Sequence, residues 1–144
     1  MKKIIFLGAT VLLGGCITST TPMINNKFNA IEPSIPSVSG IWTISIGPSI
    51  STIKLDADGN GILCDDTSGR IVFNKVKYAN NMIYIQNGMA LEVKTLNTDI
   101  LEARTILSAS TTNMIYKADN DLKVASLKCI REIWITLGRS SLVN

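Results

Sequence analysis

From residue 38 to residue 118, apolar and polar side chains alternate along the chain in short segments. In the first segment, Trp42, Ile44 and Ile46 share one face, as in a β-strand whose side chains point to opposite sides in turn. Gly, Pro, Asn and Asp residues separate it from seven similar segments, at 51–55, 61–64, 70–78, 82–86, 91–95, 100–107 and 113–117. This spacing predicts a mainly β fold, an antiparallel eight-stranded meander that closes on itself.

The hydrophobic period changes after residue 118. Apolar side chains between Leu122 and Leu137 recur at steps of three and four residues, which predicts a C-terminal helix. Asp119 or Asn120 can cap its start, and Gly138 is expected to end it. Because residues 133–137 are rich in β-branched side chains, a final strand is the alternative. Residues 139–144 are expected to form an unstructured tail.

The N-terminus has the order of a secretory signal. A basic pair precedes a ten-residue apolar run at 4–13, and the sequence Leu13-Gly14-Gly15-Cys16 follows. A ten-residue helix is about 15 Å long and cannot cross a hydrocarbon core of roughly 30 Å, which argues against a transmembrane helix. A secreted protein that is cleaved without lipidation is the remaining alternative.

This N-terminal pattern resembles the signal peptide and lipobox of bacterial lipoproteins. The resemblance implies that residues 1–15 are removed between Gly15 and Cys16, and that Cys16 carries the lipid that anchors the protein in a membrane. Ile17 follows in place of the aspartate associated with inner-membrane retention. This implies a Gram-negative outer-membrane protein that faces the periplasm. Residues 16–37, rich in Ser, Thr, Asn and Pro, are expected to be a lipidated cysteine and flexible tether. The folded domain then covers residues 38–138.

The composition makes several function classes less favoured. The chain contains no histidine, the commonest general base and zinc ligand, so we expect no enzyme, no catalytic residues and no cofactor. Removal of Lys2 and Lys3 with the signal leaves 12 basic residues against 11 acidic ones. The basic residues form no run, so the sequence does not indicate a nucleic-acid partner.

Two cysteines, Cys64 and Cys129, remain once Cys16 is lipidated. In an oxidising periplasm they predict one disulfide, worth about 4 kcal/mol in the chain-entropy model. Two separate buried thiols are the alternative.

The first strand begins with Gly40-Ile41-Trp42. A G-x-W at this position, eight strands and a late helix resemble the lipocalin-like domains of small bacterial lipoproteins. The resemblance implies that Gly40 lets the chain turn into the barrel floor and that Trp42 plugs one end; otherwise Trp42 is an ordinary core residue. Because the strands are short, the interior is expected to be filled by its own side chains.

Residues 56–61 match the first half of a calcium-binding loop, with Asp56, Asp58 and Asn60 at alternate positions. Thr67 stands where the bidentate glutamate belongs, so a hairpin turn is the favoured interpretation and no metal site is predicted. Glu92 and Glu102 are the candidate carboxylate pair for glycosidase chemistry, which uses two acidic side chains. Each lies two residues from a basic side chain, a spacing typical of solvent-facing strand positions.

These observations favour a non-enzymatic envelope lipoprotein that acts as a binding or structural module. One alternative is a periplasmic inhibitor of a hydrolase such as lysozyme, which would use the loops at 47–49 and 67–70 with Arg70 as a polar contact. Another is a carrier of a small apolar ligand, which requires an open barrel interior. An outer basic face for acidic partners is a further hypothesis, weighed against a mixed solvated exterior, and its residues are Lys54, Lys75, Lys77, Lys94, Arg104 and Lys117.

Overall fold

The computed structural model describes residues 27–106 and 113–140, without the side chains of the last two residues. The elements within these residues are a short 3₁₀ helix (Phe28–Ala30), eight strands and one α-helix: β1 (Gly40–Ile46), β2 (Ser49–Leu55), β3 (Asn60–Thr67), β4 (Arg70–Ala79), β5 (Met82–Ile85), β6 (Ala90–Leu96), β7 (Ile100–Thr105), β8 (Met114–Ala118) and α1 (Leu127–Ser140). Each strand pairs antiparallel with the next, and β8 pairs with β1, which closes the barrel. The predicted mainly β meander with a C-terminal helix is confirmed.

Successive hairpins place their turns alternately at the two ends of the barrel. The β1–β2, β3–β4 and β5–β6 turns lie at one end, which we call the open end. The β2–β3, β4–β5 and β6–β7 turns lie at the other, the closed end. In the β4–β5 turn, Asn80 and Asn81 both have positive φ, 52° and 57°, which matches the right-handed twist of a tight hairpin.

The closed end is filled with apolar side chains. Trp42 is buried in the interior, and its Nε1 donates a hydrogen bond to the Asn97 carbonyl oxygen at 3.2 Å. A Cβ on Gly40 would lie 3.1 Å from Asn120 Oδ1 and 3.2 Å from the Trp42 ring, so a larger residue here would press on both side chains. The same buried cluster contains Ile53, Leu55, Val76, Tyr78, Ile83, Val93, Leu101 and Ala103. Trp42 is therefore a core residue that also binds the β6–β7 turn.

The helix begins later than the sequence indicates. Asp119 is buried, and its carboxylate accepts hydrogen bonds from the backbone N–H groups of Lys123, Val124 and Ala125 and from Thr43 Oγ1. These bonds hold residues 119–126 as a loop, so Asp119 and Asn120 do not cap α1. Ser126 precedes the helix, and its Oγ accepts a bond from the Cys129 N–H at 3.2 Å.

The predicted helix end is also wrong. Gly138 lies inside α1, which continues to Ser140. The segment 133–137 is helical, so the alternative of a final strand is excluded.

Helix α1 lies on the outer face of β1 and β3. A disulfide joins Cys64 of β3 to Cys129, with the two Cα atoms 5.8 Å apart, so the predicted pairing is confirmed. Ile62 and Ile133 are buried in the apolar cluster between helix and barrel, together with Leu122 and Ala125. The disulfide and this cluster fix the helix to the side of the barrel, away from its interior.

The second half of the predicted tether packs against the barrel, and the domain begins earlier than residue 38. Phe28 and Ile31 are buried against the outer face of β4, β5 and β6, in a cluster with Ala79, Tyr84 and Ala90. Lys77 Nζ donates to the Ile31 carbonyl oxygen at 2.8 Å, and the Ser34 N–H donates to the Tyr78 carbonyl oxygen at the same distance. We call residues 28–37 the N-terminal strap. The composition is that of a linker, but two buried apolar side chains hold the strap in place.

The predicted signal peptide, Cys16, the first part of the tether and the last four residues of the tail lie outside the described residues. Among the residues that the structure describes, no helix has the length and apolar character needed to cross a membrane.

Candidate functional site

A cavity of about 420 Å³ occupies the open end of the barrel. Its wall comes from inward-facing positions of all eight strands and from the β5–β6 turn: Ile46, Ser49, Ser51, Leu63, Asp65, Thr67, Val72, Ile85, Met89, Leu91, Thr105, Met114 and Tyr116. The volume is near the lower end of the range of about 300–1,000 Å³ typical of small-molecule sites. The expectation of a filled interior therefore holds for the closed end and fails for the open end.

The cavity exists because the inward positions change character along the same strands. On β2, Ile53 and Leu55 fill the closed end, whereas Ser49 and Ser51 face the open end. On β3, Leu63 forms part of the cavity floor, and Asp65 and Thr67 follow it toward the open end. Small or polar side chains at these positions leave space that large apolar ones would occupy.

Exposed apolar side chains surround the cavity entrance. Ile46, Val72 and Met89 retain 54%, 48% and 42% of their accessible surface. All three also line the cavity. Exposed apolar surface that continues into a cavity is typical of a ligand entrance.

The cavity wall also carries polar groups that face one another. Ser51 on β2 lies directly opposite Asp65 on β3. The Ser51 and Tyr116 hydroxyl oxygens are 3.3 Å apart. Burial raises the pKa of the Asp65 carboxyl, and a hydrogen bond with Ser51 partly opposes this effect. Burial likewise raises the pKa of the Tyr116 hydroxyl, with a smaller contribution in the same direction from the charge of Asp65.

The predicted calcium residues form a hairpin turn at the closed end. The Asp56 carboxylate binds Lys54, whereas the Asp58 carboxylate accepts hydrogen bonds from the Asn60 backbone N–H and side-chain amide at 3.0 and 2.9 Å. The Asn60 side-chain bond is the main reason that the pKa of Asp58 lies below its usual value. Within the described residues, no group of three or more acidic or cysteine side chains could hold a metal ion.

Glu92 and Glu102 lie on the outer surface of the barrel, apart from the cavity. Glu92 binds Lys94 and accepts a bond from Arg104 Nε at 2.6 Å. The bond from Lys94 lowers the pKa of the Glu92 carboxyl most, and the bond from Arg104 lowers it further. Glu102 accepts bonds from Thr95 Oγ1 at 3.1 Å and Asn113 Nδ2 at 2.7 Å. Each carboxylate therefore forms its bonds on the outer surface of the barrel, as is usual for charged side chains at solvent-facing strand positions.

The two loops proposed for enzyme inhibition are neighbours at the open end. Ser49 Oγ and Thr67 Oγ1 are 2.8 Å apart, and the Ser68 N–H donates to the Pro48 carbonyl oxygen at 3.3 Å. Arg70 is exposed beside them. The polar atoms of the loops therefore bind each other, and inhibition stays a hypothesis.

The six basic residues considered for one basic face have different surroundings. Lys54 is buried beside Asp56, and Lys77 packs under the strap with its Nζ 5.1 Å from the centre of the Phe28 ring. Lys94 and Arg104 bind Glu92. These four side chains serve intramolecular contacts, so no single free basic face includes all six.

The polar residues of the cavity were not predicted as site residues from the sequence. Ser49 and Ser51 alternate with the strand period, and Asp65 directly follows the predicted third strand, 61–64. This pattern signals polar side chains on an inner face. Its meaning becomes visible only after the barrel register shows which face is inside.

A closed eight-stranded barrel with an outer helix and a cavity at one end defines a lipocalin-like protein. A family model described as "Bacterial lipocalin LPS transport optimiser YedD" matches residues 25–133, which include the strap, all eight strands and half of α1. The chain therefore belongs to this family of bacterial lipocalins. Lipocalin barrels are typically binding proteins rather than enzymes. Comparisons with curated proteins and with solved structures found no match.

Proposed function

We propose that this protein is a non-enzymatic, lipid-anchored lipocalin of the outer membrane that holds the apolar part of a small amphipathic ligand in its open end. The cavity of about 420 Å³ carries the proposal, because a barrel filled along its whole length has no room for a ligand. The lipobox-like sequence Leu13-Gly14-Gly15-Cys16 supports the anchor. In this proposal, cleavage occurs before Cys16 and the lipid is attached to its thiol.

The family description supports an envelope role. It names LPS transport, so we infer that the ligand is an acylated component of the envelope. The cavity is at the small end of the range for ligand sites, which favours one acyl chain over several. The apolar entrance formed by Ile46, Val72 and Met89 is suited to the passage of such a chain.

A cavity-filling variant tests ligand binding. Thr105 lines the cavity, whereas Thr98 is exposed in the β6–β7 turn at the closed end. We expect Thr105→Trp to weaken the binding of a fluorescent apolar probe such as N-phenyl-1-naphthylamine by about tenfold or more, since the indole takes up the ligand's space. The matched control Thr98→Trp should bind like the unmodified protein. Equal probe affinity in both variants, or no binding by the unmodified protein, would contradict the proposal.

A separate experiment tests the anchor. Cys16→Ala should leave the precursor unprocessed and release it from the membrane fraction, because the thiol is the proposed site of the lipid. Ser19→Ala changes a nearby residue and should leave processing intact. Globomycin treatment of the unmodified strain should give the same precursor as Cys16→Ala. If Cys16→Ala protein is processed and sediments with membranes as before, there is no lipid anchor at this residue.

A further inference from the structure

A polar band crosses the barrel interior between the apolar entrance and the apolar floor. Ser51 and Asp65 face each other on β2 and β3, and the Tyr116 hydroxyl lies 3.3 Å from Ser51 Oγ. Asn74 on β4 belongs to the same interior, because it lies between the inward-facing Val72 and Val76 on one strand. The band therefore contains hydroxyl, carboxyl and amide groups.

Asn74 carries a hydrogen-bond donor without a partner. Its Nδ2 is buried and forms no hydrogen bond within the described structure. Asn74 pairs with Leu63, which lines the cavity, and Asp65 pairs with Val72, so Asn74 lies one row deeper than Asp65. A buried N–H without an acceptor costs about 1–3 kcal/mol, and native proteins retain few of them.

Asp65 provides a hydrogen-bond acceptor where Asn74 provides a donor, and its carboxylate is partly shielded from solvent. None of the described residues that line the cavity is a lysine or arginine, so no cation there neutralises the carboxylate. Ser51 is its hydrogen-bond partner. A carboxylate has several acceptor positions, so one bond to Ser51 leaves others for a ligand.

The two features together restrict the chemistry of the ligand. A ligand carboxylate offers acceptors to Asn74 but no donor, and it places a like charge near Asp65. An ammonium group offers donors to Asp65 but no acceptor to Asn74. A hydroxyl or an amide offers both a donor and an acceptor and carries no charge.

From this juxtaposition we propose that the cavity selects acyl-type ligands that carry an uncharged hydroxyl or amide group, with Asp65 and Asn74 as the specificity-determining residues. This selectivity rests on the proposed ligand-binding function, and it specifies which polar group of the ligand the cavity recognises. The polar group binds at mid-depth, and the chain contacts the apolar side chains nearer the entrance. The band lies below Ile46 and Met89, so the ligand must bring its polar group past an apolar ring.

Four ligands of equal chain length test the proposal: decan-1-ol, decanamide, decanoate and decylamine. Displacement of the fluorescent probe from the purified protein at neutral pH gives each affinity. We expect decanol and decanamide to bind about tenfold more tightly than decanoate, since a like charge in a poorly solvated site is repelled. Decylamine should gain an ion pair with Asp65 but leave Asn74 unpaired, so we expect it to bind no more tightly than decanamide.

Two variants assign the preference to the named residues. Asp65→Asn keeps the shape of the side chain and removes its charge, so the preference for decanol over decanoate should fall to about threefold or less. Asn74→Leu removes the buried donor and should weaken decanamide binding by a larger factor than it changes the affinity for the probe. Thermal melting of both variants checks that they are folded, and Thr98→Trp serves as a control at the other end.

The outcomes separate the two proposals. The selectivity is overturned if the probe binds but all four ligands displace it with equal affinity. Tightest binding of decylamine, or a ligand preference that neither variant changes, would also overturn it. In each of these cases the proposed ligand-binding function remains supported. If neither the probe nor any ligand binds the unmodified protein, the ligand-binding function itself fails, and the selectivity fails with it. A preference for the uncharged ligands that Asp65→Asn removes supports both.

Discussion

The two ends of the barrel are made by the same strands, but one end is packed with side chains and the other contains a cavity. At the closed end, large apolar side chains and Trp42 fill the interior, and most of them are almost fully buried. At the open end, polar side chains such as Ser51 and Asp65 replace them, and a cavity remains. Stability is therefore concentrated at one end and the space for a ligand at the other. This separation lets the open half of the barrel contain the half-buried carboxylate of Asp65 and the unpaired buried Nδ2 of Asn74 without loss of the fold.

The largest effect is expected for Trp42→Ala, which empties the closed end. Trp42 is 1% exposed, and loss of a buried tryptophan costs about 3–5 kcal/mol. Trp134 on the outer side of α1 is 61% exposed, so Trp134→Ala should change the free energy of unfolding by about 0.5 kcal/mol or less. Urea unfolding of both variants measures the difference. Similar losses for the two tryptophans would mean that the closed end does not dominate stability.

The disulfide should come next in size. Replacement of Cys64 and Cys129 together by alanine should lower the free energy of unfolding by about 2–4 kcal/mol, because the bond closes a 65-residue separation in the unfolded chain. Dithiothreitol should destabilise the unmodified protein by a similar amount and leave the double variant unchanged. An effect of the reductant on the double variant would point to another thiol-dependent contact.

A matched pair of valines on β4 compares the ends directly. Val76 is 1% exposed in the closed-end cluster, and Val72 is 48% exposed at the cavity entrance on the same face of the strand. Val76→Ala should cost about 2 kcal/mol, whereas Val72→Ala should cost about 0.5 kcal/mol or less. Probe binding should change in the opposite order, with Val72→Ala the weaker binder. If Val72→Ala is the more destabilised variant, the division between the ends is wrong.

The smallest effect concerns the charge of Asp65. Burial raises the pKa of this carboxyl above its usual value of 3.8, so the ionised form lowers native stability at neutral pH. This cost disappears as pH falls through the native pKa toward the unfolded value. Asp65→Asn should therefore stabilise the protein at pH 7 by less than about 1 kcal/mol, since solvent still screens the half-buried group. The gain should shrink on acidification, as measured by urea midpoints from neutral pH to about pH 4. A gain that grows with acidification would contradict the assigned cause.

The strand order of the fold was predictable because it follows from local signals. Alternation and turn residues such as Asn80 and Asn81 placed all eight strands, and a meander needs only neighbour pairing. The start of α1 was not predictable, because Asp119 has the residue type of a helix cap but binds the N–H groups of a loop. The strap was missed since its linker-like composition conceals the burial of Phe28 and Ile31.

The cavity could be predicted only in part. The inward serines of β2 are visible as a period-two pattern in the sequence. That pattern does not state which face becomes the interior, and it does not place Tyr116 of β8 within 3.3 Å of Ser51. Contacts between strands that are distant in sequence depend on closure of the barrel, which is a property of the whole register.

The packed strap has a mechanical consequence for a lipid-anchored protein. Because the chain is fixed to the barrel wall from Phe28 onward, only residues 17–27 remain between the proposed lipid at Cys16 and the folded body. A stretch of about eleven residues spans at most ~40 Å when fully extended. The barrel would thus stay within about 40 Å of the bilayer that holds it. A ligand exchanged with that bilayer would have a short distance to travel.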